Sequence, residues 1–235
     1  MKNVISCPNC GTENPFYKLT CLNCKGYLRE KIFNLDLWQQ IELLIESPVK
    51  AFNRIIQSEH KNFIILITVL FSVKIFVDAR FLSILFSGEN SLRTGIVSGL
   101  LISAGGAFLV IWIFTVSLFF LNKFTGINTR IRDDNAVLIY SLLPYAISVI
   151  ILFPIELIIF GGYLFSDNPS PFELKATVAY ILLVIEILII LWRLFLSVSG
   201  IYAISRNVIY AVLIGIIYNI YLFVFTFILS ITLFA

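Results

Sequence analysis

Four cysteines stand within the first 24 residues as two knuckles, Cys7-Pro8-Asn9-Cys10 and Cys21-Leu22-Asn23-Cys24. Two C-x2-C pairs separated by ten residues place two thiolate pairs on tight turns, which can close four sulfurs around one tetrahedral ion. Gly11 and Gly26 follow the knuckles and supply the backbone freedom such turns use. Residues 1–30 therefore read as a zinc ribbon with Cys7, Cys10, Cys21 and Cys24 as ligands of a structural Zn2+, because a ribbon this short has almost no core without its ion. Four thiolates leave no open position for water, which argues against catalytic zinc. Disulfide pairing and a four-thiolate iron site are the competing chemistries.

No other stretch carries a reaction signature. H-E-x-x-H, G-x-S-x-G and G-x-x-x-x-G-K-[ST] are missing from the sequence, and His60 is its only histidine, so a non-enzyme is expected. Lys18 and Lys25 set against Glu13 make no basic patch, and no nucleic-acid partner is expected. Charges inside apolar segments are the remaining candidates for transport chemistry: Lys74, Asp78 and Arg80, then Glu156, then Glu186 and Arg193. Lys74 and Asp78, four apart, can neutralise each other on one helical face, and Glu186 and Arg193, seven apart, again share a face. Glu156 has no partner nearby in sequence and is expected to face Lys74 or Arg193, or to line a wet cavity.

These side chains must be held by a membrane domain. The chain is 59% apolar and 13% charged, with a mean hydropathy of +0.96, far outside the range of water-soluble domains. Met1–Ser6 has neither an apolar core nor a cleavage site, so insertion is expected to use internal spans, and no lipidation signal is read. Charge, Gly, Asn or Pro interrupts the apolar text four times, which predicts five spans at 62–86, 95–121, 136–165, 176–201 and 207–234. Each exceeds the roughly 20 residues that a helix needs to cross ~30 Å of hydrocarbon. Kinks are expected at Pro144 and Pro154, and the turn near Arg206-Asn207 must be very short. The fold class is an all-α polytopic membrane protein: a five-helix transmembrane bundle with a small N-terminal zinc ribbon.

Basic residues set the expected orientation. Lys2, Lys18, Lys25, Arg29, Lys31, Lys50, Arg54, Lys61, Lys123, Arg130, Arg132 and Arg206 fall on one side, and only Arg93 and Lys175 on the other. The N-terminus is thus expected in the cytoplasm and the C-terminus on the external or luminal side.

Between ribbon and bundle, residues 31–61 read as amphipathic linker helices. Trp38, Ile41, Ile45, Val49, Phe52, Ile55 and Ile56 recur at helical spacing, and Ser47-Pro48 divides the stretch, with Ser47 as N-cap. Such a face lies on the cytoplasmic leaflet or packs against protein. Gly95, Gly99, Ser103 and Ala107, at intervals of four, form a flat stripe for close helix packing, within the chain or between copies in a homo-oligomer. Ala211 and Gly215 make a shorter one.

Residues 36–235 resemble the Yip family of Ypt/Rab-interacting five-span membrane proteins. The resemblance lies in Tyr140-Ser141-Leu142-Leu143-Pro144 opening span three, in Ser47-Pro48-Val49-Lys50-Ala51-Phe52 ahead of the spans, and in the order of cytosolic region, amphipathic approach and five spans. The Asp-Leu-x-Gly-Pro motif of eukaryotic members does not occur, and a zinc ribbon replaces their long cytosolic arm, as in prokaryotic relatives. The resemblance implies a role in membrane organisation or trafficking; GTPase binding is not carried over. Two functions from different classes follow: a scaffold or adaptor contacting a cytosolic or membrane protein through the ribbon and bundle, or a small channel or transporter using Glu156, Glu186 and Lys74.

Overall fold

The structure, a computed structural model, describes residues 3–87, 95–165 and 168–234. Lys2 and Arg93, both counted in the charge asymmetry, lie outside the described residues. The chain opens on an antiparallel pair, β1 (Val4–Ser6) and β2 (Glu13–Pro15), with Ile5 opposite Asn14. Strands of three residues cannot build a core, and Cys7, Cys21 and Leu28, with Ile5 against them, form the small apolar centre of this segment.

Nine α-helices follow among the described residues: α1 (Leu37–Glu46), α2 (Pro48–Gln57), α3 (Ile64–Ser87), α4 (Ile96–Phe124), α5 (Ile131–Tyr140), α6 (Leu143–Phe160), α7 (Pro171–Leu174), α8 (Ala176–Ser205) and α9 (Val208–Leu233). Asp36 caps α1 by accepting from the Gln39 N–H at 2.9 Å. Ser47 does occupy the N-cap position of α2 with Pro48 in its first turn, but its side chain makes no capping bond. The third apolar segment starts earlier than expected, at Ile131, and is broken after Tyr140; Pro144, in the first turn of α6, suits a new helix start because its missing N–H needs no partner there. Pro154 is accommodated inside α6.

Among the described residues, four segments are long and apolar enough to cross a bilayer: Ile96–Phe124, Ile131–Phe165, Ala176–Ser205 and Val208–Leu233. The second is the most enclosed, with 72% of an 18-residue apolar stretch buried, whereas the others present Ile, Leu, Val and Phe outward, as a lipid solvent demands. α3, the expected first span, has 24 residues, but Lys74, Asp78 and Arg80 fall within any stretch of it long enough to span. Length suits it to a bilayer; composition alone does not single it out. Only Arg206 and Asn207 separate α8 from α9, and Arg206 adopts a left-handed φ of 54° to make the turn.

The chain forms two compact units. One comprises Met1–Ile65, Ile111–Ser141 and Phe195–Ile217, and the other Leu66–Val110, Leu142–Leu194 and Tyr218–Ala235. In the first, α2 buries Ala51, Phe52, Ile55 and Ile56, so its apolar face is used up inside the protein. Phe52 packs against Gly200 of α8, where a Cβ would come within 3.1 Å of its ring and 2.6 Å of Val137. α1 differs: Gln40 and Leu44 are buried, while Trp38 is 79% exposed and Ile45 is also open.

Candidate functional site

The knuckles bring all four cysteine sulfurs within 4.8 Å of one another. Sγ atoms pair across the knuckles, Cys7 with Cys24 and Cys10 with Cys21, each at 3.6 Å. Metal–thiolate bonds of about 2.3 Å in a tetrahedron require sulfur separations of roughly 3.8 Å, so the spacing fits one ion. Backbone geometry produces this. Gly11 takes a φ of +72° after the first knuckle, and its N–H bonds to the Cys7 carbonyl at 2.9 Å. At the second knuckle the left-handed residue is Lys25, at φ 62°, and not Gly26, whose N-terminal neighbour has already made the turn.

The sulfurs also receive polar donors. The Asn23 N–H points at Cys21 Sγ from 3.4 Å, and Asn14 Nδ2 from 3.5 Å, while Asn14 Oδ1 accepts the Leu22 N–H at 2.8 Å. Asn14, wholly buried, ties β2 to the second knuckle, and sequence reading passed over it because nothing in its spacing sets it apart from other loop asparagines. Hydrogen bonding with the Thr12 side chain and backbone holds the Cys10 thiol down to about 6. Cys24, despite the lowering effect of a bond from the Gly26 backbone, is pushed up to about 11 by the neighbouring thiols of Cys10 and Cys7. Four thiolates this close oppose one another's ionisation, and a cation among them is what lets all four ionise.

The end of α2 carries a second cluster that charge counting did not reveal. Lys61 Nζ donates to the carbonyls of Ile55, Ile56 and Ser58, capping the helix, and lies 3.1 Å from Asp133 Oδ1. Arg130 Nε reaches Asp133 Oδ2 at 2.6 Å, and its guanidinium also donates to the Ile56 carbonyl. Burial pushes the Lys61 ammonium down to about 8 against the opposing pull of Asp133. Asp134, fully buried, accepts from Thr129 at 2.9 Å, and its Oδ1 has no partner. It borders a cavity of roughly 10 Å³ lined also by Asn3, Tyr17 and Thr129, room for a single water molecule. Sequence reading counted Arg130 and Arg132 as orientation charges and passed over the two aspartates that follow them.

In the second unit the charges of the apolar segments converge. Lys74 Nζ lies 2.9 Å from Asp78 Oδ1, as the four-residue spacing predicts, and 2.7 Å from Glu186 Oε1. Ser148 Oγ donates to the same Glu186 oxygen at 3.2 Å. Arg193 does not pair with Glu186. Seven residues place them on one helical face about 10.5 Å apart along the axis, and the Arg193 guanidinium lies instead 4.6 Å from the centre of the Tyr145 ring. Arg80 lies 5.3 Å from the Phe234 ring. Tyr145, Ser148, Leu152 and Glu156 form the buried face of α6, and Glu156 senses Glu186, Lys74 and Asp78 electrostatically. Tyr145 and Ser148 were the members missed, since neither is charged.

Of the small-residue stripe, Gly99, Ser103 and Ala107 are buried within the chain, whereas Gly95 is exposed just ahead of α4. The closest approach falls beside the stripe, at Gly106, where a Cβ would come 2.8 Å from the Phe225 ring. Gly215 meets Val198 of α8 in the same way, at 2.6 Å from a methyl and 3.2 Å from its Cα. Comparison with protein-family models, with characterised proteins and with solved structures returned no match.

Proposed function

We propose that this chain is a non-enzymatic integral membrane scaffold or adaptor of Yip type, with five spans, a cytoplasmic N-terminus and an external or luminal C-terminus. α3 is the first span, its Lys74 and Asp78 charges paired inside the protein. The Cys7, Cys10, Cys21 and Cys24 site holds Zn2+ as a structural ion, since the cytoplasm keeps thiols reduced and four thiolates suit zinc. The ribbon contacts a cytosolic or membrane protein, and the chain works in membrane organisation or trafficking. One observation carries this reading: the four sulfurs are spaced to enclose an ion completely, which supports a structural and not a reactive metal. The test is cross-linking in intact membranes followed by affinity purification of the full chain. A partner captured by the native protein and lost from the Cys7→Ser/Cys21→Ser variant is expected; a partner set unchanged by that variant would remove the ribbon from the role.

A second reading, a small channel or transporter, is favoured by one specific observation. Lys74, Asp78, Ser148 and Glu186 meet in one cluster drawn from α3, α6 and α8, with Lys74 and Ser148 buried, Asp78 and Glu186 half-buried, and the buried Glu156 within their electrostatic reach. Flux of protons or small ions in proteoliposomes separates the readings. Flux abolished by Glu156→Gln and Glu186→Gln would establish transport, and no flux above empty vesicles favours the scaffold.

A further inference from the structure

The ribbon is not merely tethered. Asn3, just ahead of β1, donates from Nδ2 to the carbonyls of Ala203 at 3.3 Å and Ile204 at 2.7 Å, in the last turn of α8. Arg29, past the second knuckle, donates to Tyr17 O at 3.3 Å and to Gln57 O at 2.9 Å, bridging the ribbon to the final residue of α2. Between these points in sequence, the Phe16 ring lies 5.0 Å from the Arg206 guanidinium and the Tyr17 ring 4.6 Å from that of Arg130. Arg206 is held further by a 2.8 Å bond to Asn53 Oδ1. The terminal carbonyls of a helix have no partner within it, so Asn3 and Arg29 satisfy groups that α8 and α2 leave open.

The residues making these contacts are spread over positions 3–29, and only short pairings hold them in register, such as the Phe16 N–H on the Asn3 carbonyl at 3.2 Å and the Leu28 N–H on the Leu19 carbonyl at 2.9 Å. The two strands have three residues each, and the apolar centre is Cys7, Cys21, Leu28 and Ile5, two of which are themselves candidate ligands. Their common geometry depends on the closure of the cysteine cluster. Relying on the metal reading of those cysteines, we infer that the ribbon is a metal-dependent latch: ion occupancy orders the α8–α9 turn and the end of α2, and metal loss releases both.

Hydrogen–deuterium exchange of the full-length protein in detergent tests this, with zinc content measured on every sample. On removal of zinc by a chelator, amides at 200–210 and 54–60 are expected to exchange about tenfold faster, the scale of losing one or two hydrogen bonds, while those at 180–190 do not change. Adding Zn2+ back restores protection. Asn3→Ala, with zinc still bound, accelerates 200–210 but not 54–60, and Arg29→Gln does the reverse. A stripped ribbon that exchanges freely while 200–210 and 54–60 keep their protection would overturn the latch and leave the metal reading standing. Purified protein containing no zinc, and taking none up, would overturn both.

Discussion

The ammonium of Lys74 lies 2.7 Å from a carboxylate oxygen of Glu186, 112 residues further along the chain. Lys74 is only 5% exposed and Asp78 supplies a second carboxylate, so its charge is neutralised where water does not reach it. Removing one member of such a set leaves an uncompensated charge, which costs more than the set contributes when whole. Lys74→Met should therefore destabilise the protein by roughly 3–5 kcal/mol, while the triple variant with Asp78→Asn and Glu186→Gln should recover most of that loss. Thermal unfolding in detergent measures both. A single variant no less stable than the triple would contradict the pairing.

Metal loading gives a direct prediction for the cysteines. One ion per chain is expected, and Co2+ in its place should show the visible absorption of a tetrahedral thiolate site. Cys10→Ser should lower affinity by at least tenfold, as a lost ligand does. Asn14→Ala should weaken binding less, since its amide supports the site through Cys21 Sγ, the Leu22 N–H and the Thr12 carbonyl and supplies no ligand atom itself. Equal loss in the two variants would mean that Asn14 matters for folding of the ribbon more than for its sulfurs.

Close helix approach makes glycine positions unequal. Gly200→Ala would drive a methyl to 2.6 Å from Val137 and 3.1 Å from Phe52, and Gly215→Ala to 2.6 Å from Val198 and 3.2 Å from its backbone. Each should cost about 1–3 kcal/mol, the range for overpacking. Gly105→Ala meets nothing within 4 Å and should be neutral or slightly stabilising through helix propensity. Comparable unfolding midpoints for all three would refute the packing described here.

Lys61 gives the protein a pH signature. Burial lowers its pKa from 10.5 to about 8, with Asp133, Arg130 and Arg132 as the charges around it. The sign follows from proton counting: between those values the unfolded chain holds the proton and the folded one releases it, so stability rises with pH across that window. The penalty on the buried ammonium is fully present below about pH 8. Relative to Lys61→Met, the native protein should gain up to roughly 3 kcal/mol between pH 7.5 and 10.5, the scale set by the shift. A stability difference flat across that range would show that Lys61 keeps an ordinary pKa.

How much of this was legible in advance depended on distance along the chain. Cys7–Cys10, Cys21–Cys24, the i,i+4 pair Lys74–Asp78 and the brief link at Arg206-Asn207 are local, and local spacing predicts them. Glu186 found Lys74 and not Arg193 because helix packing, which periodicity does not encode, decides which faces meet. Asn3 against Ile204 was invisible for the same reason, joining positions 201 residues apart. The break between Tyr140 and Leu143 was half visible: Pro144 marked it, but a kink and a new helix start look alike in a one-dimensional pattern. Phe52 and Trp38 stood in one amphipathic stripe, and only the structure separates the buried face of α2 from the open one of α1.

The bonds from Asn3 to Ala203 and Ile204 also bear on biosynthesis. Translation delivers the cysteine segment well before its seat on α8, so a ribbon that takes up an ion can do so long before it has anywhere to dock. Contacts of such high sequence separation form late. The ribbon must then wait undocked until α8 has been made, and its closure marks a chain in which that helix is in place.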